Sequence, residues 1–279
     1  MSEGLRFQRF LSERVACVYG PRWTGVVEKD VTDTAKTIHS LQVLDALRDA
    51  AVVLSKSGSS QSRTSGGMQY LRYGASRRLL MMWHAYRNVV VYLAPPRRLE
   101  PLSADESAEL TRDLNVIYLN IRGTLDNLAW ALLHEFAQEK LKIHPTKIGL
   151  FKSCITDDNR FDGLSLALNA HREWNFDLAD RRDPSAHRIP LTIPPQVLSP
   201  KDSSAYAQLL NEYVRATQDL DFAVAEQKLK QIERIGQFYP YFIHDIDRGP
   251  FPIYPTLPED VAHVVEICRD VGSFFSAAS

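Results

Sequence analysis

Apolar residues recur at helical spacing along most of the chain. Ile38, Leu41 and Leu44 set this pattern near the N-terminus, and Ile117, Ile121 and Leu125 repeat it further along. No alternating run of apolar and polar positions is long enough to build a sheet. The pattern therefore predicts an all-α protein. The predicted helices cover about residues 35–54, 69–93, 103–140, 161–181, 203–237 and the segment from 256 onward.

Two helix starts carry a recognisable local signal. Ser103-Ala104-Asp105-Glu106 is a capping box, in which the serine hydroxyl and the glutamate satisfy the first unpaired amides of a helix. Thr256-Leu257-Pro258-Glu259 repeats the arrangement with a proline in the first turn. These two helices are the best defined at their N-termini.

Breaks between the helices suggest the domain organisation. The Ser- and Gly-rich segment 55–67 predicts a flexible loop, and Pro190, Pro194 and Pro195 predict an extended connector. We therefore expect an N-terminal helical extension and flexible loop over residues 1–66. A helical bundle with a Pro-rich irregular connector is expected over residues 67–279.

Composition narrows the class of protein. Apolar residues make up 44% and charged residues 24%, as in soluble globular proteins, and the net charge of -1 restricts any nucleic-acid contact to a local basic patch. Cys17, Cys154 and Cys268 form no C-x-x-C pair, which argues against a disulfide framework, a zinc site or a catalytic thiol. The most apolar segment, 79–94, is interrupted by polar residues and is too short to span a bilayer. We expect a cytoplasmic protein that does not contact membranes.

Metal and cofactor chemistry has little support in the sequence. Bundle di-metal sites use paired Glu-x-x-His motifs, and only Asp260-Val261-Ala262-His263 comes near this pattern. We therefore expect no metal and no cofactor.

The segment from Arg182 to His187 carries the candidate chemistry. It places a guanidinium, the Asp183 carboxylate and a titratable imidazole within six residues at the end of a predicted helix. A histidine can move protons to and from a ribose 2′-OH and a leaving oxygen, while an arginine stabilises phosphate charge. This combination suits RNA cleavage without a metal. The same spacing also fits a loop histidine that bonds to backbone.

Two polar stripes accompany this segment. One helix presents Asn120, Gly123, Asn127, Trp130 and His134 at steps of three and four, and a later helix presents His171, Asn175, Leu178 and Arg182. Either these groups satisfy one another in a bundle core, or they support a site. In the second case, the supporting residues are Asp126, Asn127, His134 and His171.

The segment Arg182-Asp183-Pro184-Ser185-Ala186-His187, preceded by the helix containing Leu125-Asp126-Asn127-Leu128-Ala129-Trp130, resembles the HEPN superfamily. The resemblance implies a helical bundle that dimerises, with Arg182, Asp183 and His187 as catalytic residues of a metal-independent endoribonuclease. It also implies toxin-antitoxin or antiphage defence, with a cognate antitoxin or defence partner. Pro184 departs from the sustained helix that usually carries this motif, and we expect Asp183 to cap a short turn that begins there.

A non-catalytic helical module that binds a protein or nucleotide is the alternative. RNA cleavage predicts that Arg181 and Arg188, as RNA-binding residues, converge around His187 together with Lys140, Lys142 or Lys152. An interaction module predicts that these cations scatter over the surface.

Overall fold

A computed structural model describes residues 31–59, 63–93, 100–187, 189–243 and 250–277, with side chains omitted at 31–34 and 184–187. Within these ranges, 78% of residues are helical and 4% are in strands, which confirms the all-α class. None of the helices in the described ranges combines the length and apolar character that a membrane crossing needs.

The N-terminal half of the fold is a set of long helices. Helix α1 spans Val31–Ser57, a short α2 spans Ser65–Met68, and a π-helical segment over Gln69–Ala75 leads without a break into α3, Ser76–Tyr92. Helix α4 spans Ala104–Phe136. Helix α1 packs between α3 and the last helix, α10 (Ile253–Ala277), and α3 packs along α4.

The capping box at Ser103 forms as predicted. The Ser103 hydroxyl accepts from the Glu106 amide, and the Glu106 carboxylate accepts from the Ser103 amide. The apolar stripe of α4 is the centre of the core, and its members from Ile117 to Leu132 are at most 1% exposed. Helix α4 ends at Phe136, a few residues before the predicted end near Lys140.

The second half contains shorter helices. After α5 (Ser153–Thr156), the helix predicted over 161–181 is two helices, α6 over Asp162–Asn169 and α7 over Arg172–His187. The helix predicted over 203–237 is also two, α8 over Pro200–Gln218 and α9 over Phe222–Ile232. In the second case, the Asp221 carboxylate accepts from the Val224 amide and begins a new helix, so a single continuous helix was wrong.

The prolines of the connector keep residues 189–199 out of helix. This connector pairs with the segment before α10 through the isolated bridges Thr192 to Ile243 and Val197 to Gln237. Strands β1 (Tyr241–Phe242) and β2 (Phe251–Pro252) form a two-stranded antiparallel sheet beside it.

The last helix, α10, spans Ile253–Ala277 and is interrupted near its start at Tyr254, whose backbone is extended. The continuous part of the helix therefore begins after Tyr254, close to the predicted start at Thr256. Pro258 lies about one turn beyond the interruption, where a missing amide costs little.

The core is one cluster to which α1, α3, α4, α7 and α10 all contribute side chains. Leu44, Leu47 and Leu54 of α1 are at most 1% exposed within it. Residues 1–30 of the expected N-terminal extension lie outside the described ranges, and the division of the chain at residue 66 stays a prediction.

Candidate functional site

The C-terminal end of α7 carries the predicted catalytic segment. The helix runs without interruption from Arg172 to His187, so Asp183 does not cap a separate turn, and that expectation was wrong. Arg182 donates from NH1 to the Asp183 carboxylate over 2.9 Å, and 25% of its side chain is exposed. The side chain of His187 and all of Arg188 lie outside the described residues.

The Arg182 guanidinium keeps donor capacity. Its Nε is buried and has no hydrogen-bond partner among the described residues, which leave out the side chains at 184–187. The side chain as a whole is one quarter exposed, so its terminal N–H groups are the ones that an outside acceptor can meet. A phosphate oxygen is one such acceptor.

Arg181 has a structural contact instead. Its Nε and NH2 donate to the two oxygens of Asp260 over 2.9 and 2.7 Å. The same carboxylate accepts from the Trp174 indole over 2.8 Å and from the Tyr118 hydroxyl over 2.7 Å. Burial, followed by the charge of Asp260, raises the pKa of Tyr118 well above its ordinary value. We call these four residues the Asp260 cluster, and it ties α7 to α4 and α10.

The Arg181 guanidinium is therefore bound to Asp260 inside the fold, and this arrangement does not support its predicted contact with RNA. Lys140 is also engaged elsewhere, since its Nζ pairs with Asp158 over 2.5 Å and donates to the Cys154 carbonyl. The expected convergence of these cations on the Arg182 segment is not seen for either residue.

Arg182 occupies a different flank of α7 from Arg181. Asn175 lies two turns before Arg182, so both residues share a flank of the helix. Asn175 accepts from Arg122 of α4 over 3.4 Å, and Arg122 pairs with Asp126 over 3.3 Å. The flank of α7 that carries Arg182 thus faces α4 at Asn175, and Asp126 is placed beside Arg122 at that contact.

The other predicted supporting residues pack against the segment around the π-helix. Tyr70 stacks on Trp130 and His134, with ring centroids 5.7 and 5.2 Å apart. A Cβ added at Gly74 would lie 2.8 Å from Asn127, and one at Gly66 would overlap the His134 ring. Asn127 and His134 therefore fill notches that glycines leave open.

Gly123, on α4 itself, also leaves space for a side chain, here one that comes from α3. An added Cβ there would overlap the guanidinium of Arg78, which donates to the Asn120 side chain over 3.1 Å. A side chain, and not the backbone of a neighbouring helix, fills the space beside Gly123.

His171 is distant from the Arg182 segment. It begins the turn of chain that leads into α7, eleven residues before Arg182, which is about 16 Å along a helix at about 1.5 Å per residue. The sequence grouped these residues into one site, but the structure places them in three regions. These are the C-terminal end of α7 at Arg182, the glycine notches beside the π-helical segment, and the N-terminal end of α7 at His171.

His171 belongs to a group that can hold a metal ion. Its Nδ1 lies 2.8 Å from Nδ1 of His263, and the ligand atoms of His171, His263 and Glu266 all lie within 4.8 Å of one another. Burial and the neighbouring His171 lower the pKa of His263. The expectation of no metal rested on sequence spacing, which does not reveal this group.

Sequence reasoning also missed a basic surface. Residues 50–99 contain no Asp or Glu and eight Lys or Arg, although the chain as a whole has a net charge of -1. On the π-helical segment and α3, the guanidiniums of Arg72 and Arg77 lie 5.4 and 4.8 Å from the centre of the Tyr73 ring. Arg87 lies 5.1 Å from the ring of Trp83. We call these five residues the basic–aromatic face.

Three members of this face, Arg72, Tyr73 and Arg77, are exposed, and the other two, Trp83 and Arg87, are half-buried. The Tyr73 side chain is 44% exposed. Among the residues that the structure describes, no carboxylate pairs with Arg72, Arg77 or Arg87. Guanidiniums beside an exposed ring and a partly exposed ring suit a ligand that offers both phosphates and planar bases.

The thiols of the described core have no catalytic features. Cys154 and Cys268 are both buried, and burial raises the pKa of the Cys268 thiol far above its ordinary value. A protonated buried thiol is a poor nucleophile.

Comparison of the chain with family models, with curated proteins and with solved structures gives no match.

Proposed function

We propose that this protein binds single-stranded RNA through the basic–aromatic face and cleaves it without a metal, as a HEPN-type endoribonuclease. The observation that carries the proposal is the face itself. Three guanidiniums that have no carboxylate partner within the described part of the chain lie against Tyr73 and Trp83. Cations along a backbone path and rings that stack on bases are the two parts of single-strand recognition.

Cleavage is assigned to the end of α7. Arg182 is held by Asp183, and the terminal N–H groups of its partly exposed guanidinium can donate to a phosphate oxygen. In this mechanism, the ribose 2′-OH attacks the adjacent phosphorus and the bond to the 5′ oxygen breaks, which leaves a 2′,3′-cyclic phosphate and a 5′-OH. His187 moves the proton from the nucleophile or to the leaving oxygen, and Arg182 stabilises the phosphorane. By the HEPN resemblance, a dimer places two such segments together.

The binding half is tested by fluorescence anisotropy with a labelled single-stranded RNA in EDTA. The variant Arg72→Gln/Arg77→Gln is compared with Lys201→Gln/Arg269→Gln, which removes two exposed cations elsewhere. We expect the first pair to weaken binding at least about tenfold at low salt. It should also lower the slope of log affinity against log salt by about 0.7 per lost phosphate contact. Equal affinities for the two variants would refute the assignment.

The cleavage half is tested by incubating the wild type, Arg182→Ala and His187→Ala with end-labelled RNA in EDTA. We expect the wild type alone to give fragments with 2′,3′-cyclic ends. No cleavage, or cleavage unchanged in His187→Ala, rejects the mechanism and leaves an RNA-binding protein.

A protein-interaction module is the second candidate, and one observation favours it. The α8–α9 hairpin buries few residues and exposes Leu210 at 40%, Val214 at 42% and Phe222 at 67%. Leu210 and Val214 share a helix face. The occupant we assign is a second copy of the chain.

The assembly is tested by light scattering of the wild type and of Leu210→Ser/Val214→Ser. A dimeric mass that falls to the monomer in the variant supports this contact. A mass that does not change overturns it.

A further inference from the structure

A triad of metal-binding side chains lies at the other end of α7 from Arg182. His171 precedes α7, and His263 and Glu266 are three residues apart on α10, so they share a face of that helix. His171 is 5% exposed, His263 is half-buried and Glu266 is exposed. The group therefore has one buried side and one side open to water.

The two imidazoles meet at the same ring position. Their Nδ1 atoms are 2.8 Å apart, so in the protein without metal one donates a hydrogen bond to the other. Two ligands at about 2.05 Å from a metal and at right angles to each other are about 2.9 Å apart, whereas tetrahedral ligands are about 3.3 Å apart. The observed separation is close to that of adjacent ligands of an octahedral ion, and a tautomer change that moves the donor ring's proton from Nδ1 to Nε2 exposes the lone pairs of both Nδ1 atoms.

Neighbouring side chains hold His263 in this orientation. The Trp174 ring stacks on His263 with centroids 4.8 Å apart and planes 20° from parallel. Trp174 is in turn fixed by its hydrogen bond to Asp260. Stacking orients the imidazole without occupying either ring nitrogen, so Nδ1 remains directed at His171.

Asp260 is one turn before His263 on α10, but its carboxylate is used by Tyr118, Trp174 and Arg181. The protein ligands are therefore two imidazoles and one carboxylate. Two nitrogens and one oxygen suit Zn²⁺, Fe²⁺ or Co²⁺, whereas Mg²⁺ and Ca²⁺ prefer oxygen ligands throughout.

We propose that His171, His263 and Glu266 bind one divalent transition-metal ion, with water at the positions toward solvent. The ion links the chain before α7 to α10. Glu266 is the ligand that closes over the ion from the exposed side. The site is separate from the Arg182 segment, so its presence does not depend on RNA cleavage.

The test uses tag-free full-length protein stripped with a chelator and titrated with Zn²⁺ in a calorimeter. We expect one ion per chain in the wild type. Glu266→Gln, which removes an exposed carboxylate, should weaken binding at least about tenfold, and His263→Gln should abolish it. The control His39→Gln removes an exposed histidine on α1 and should bind as the wild type does.

Co²⁺ absorption in the visible range gives a second readout, because octahedral Co²⁺ absorbs weakly and tetrahedral Co²⁺ strongly. We expect the weak spectrum in the wild type and its loss in His263→Gln. Urea unfolding of stripped Glu266→Gln separates a ligand effect from misfolding, and we expect it to match the stripped wild type. Absence of Zn²⁺ binding, or binding that is equal in the wild type, His263→Gln and Glu266→Gln, overturns the proposal.

Discussion

Replacement of Asp260 by asparagine removes the charge at the centre of the Asp260 cluster. The carboxylate is 2% exposed and accepts from Tyr118, Trp174 and both arms of Arg181. An amide has one acceptor oxygen, and its NH2 group would face one of the donors. The Arg181 side chain, 11% exposed, would also keep a positive charge without a counter-ion.

The magnitude follows from these two losses. Breaking one partner of a buried ion pair costs about 3–5 kcal/mol, and the remaining amide oxygen places Asp260→Asn near the lower end, at about 3 kcal/mol. The double variant Asp260→Asn/Arg181→Met also removes the guanidinium that is left without a counter-ion. Its free energy of unfolding should be about 1–2 kcal/mol higher than that of Asp260→Asn alone.

The assay is urea unfolding at pH 7 followed by circular dichroism. The control Glu259→Gln changes the exposed neighbour on α10 and should stay within about 0.5 kcal/mol of the wild type. A loss below about 1 kcal/mol in Asp260→Asn, or a double variant less stable than Asp260→Asn, would refute the role given to this cluster in fixing α7.

Two further predictions concern glycine and acid stability. Gly236→Ala should destabilise the fold by about 2–3 kcal/mol, because φ is +88° there and an added Cβ would lie 2.5 Å from the Val197 carbonyl oxygen. Gly163→Ala, in helix α6, should instead stabilise by up to about 1 kcal/mol, because no described atom outside the adjacent residues and the helix's own backbone comes within 4 Å of the added Cβ; thermal unfolding compares the two. Asp158 is buried and hydrogen-bonded to Arg160 and Lys140, which hold its pKa well below the ordinary value. Its contribution is therefore complete above about pH 4 and is lost as the pH falls through the lowered pKa. The difference in unfolding free energy between the wild type and Asp158→Asn should shrink in acid, and a difference that is constant from pH 7 to pH 2 would contradict this.

Local signals in the sequence predicted local structure well. The helix start at Ser103 and the burial of the α4 stripe follow from residues within a turn or two of each other, and both are observed. The start of α8 had the same kind of signal, since Ser199 and Asp202 form a capping box with Pro200 in the first turn. The Asp221 cap that begins α9 was also visible in the sequence, but the periodic pattern on both sides obscured it.

The candidate sites depend on contacts that spacing does not encode. Asp260 meets Arg181 across 79 residues of sequence, and His171 meets His263 across 92. The π-helical segment depends on the fit of Tyr70 and two glycines against α4, which becomes evident only when the helices are packed. The acid-free segment 50–99 is visible in the sequence, but the near-zero net charge of the whole chain conceals it.

The most direct measurement of the RNA interface is ultraviolet crosslinking of a single-stranded RNA to the full chain in EDTA, followed by mass spectrometry of the crosslinked peptides. Aromatic rings stacked on bases crosslink efficiently, so the account predicts adducts on peptides that contain Tyr73 and Trp83. It also predicts that Arg72→Gln/Arg77→Gln reduces their yield. Adducts confined to other parts of the chain, or none above the level of a non-binding control protein, would contradict the assignment of RNA to this face.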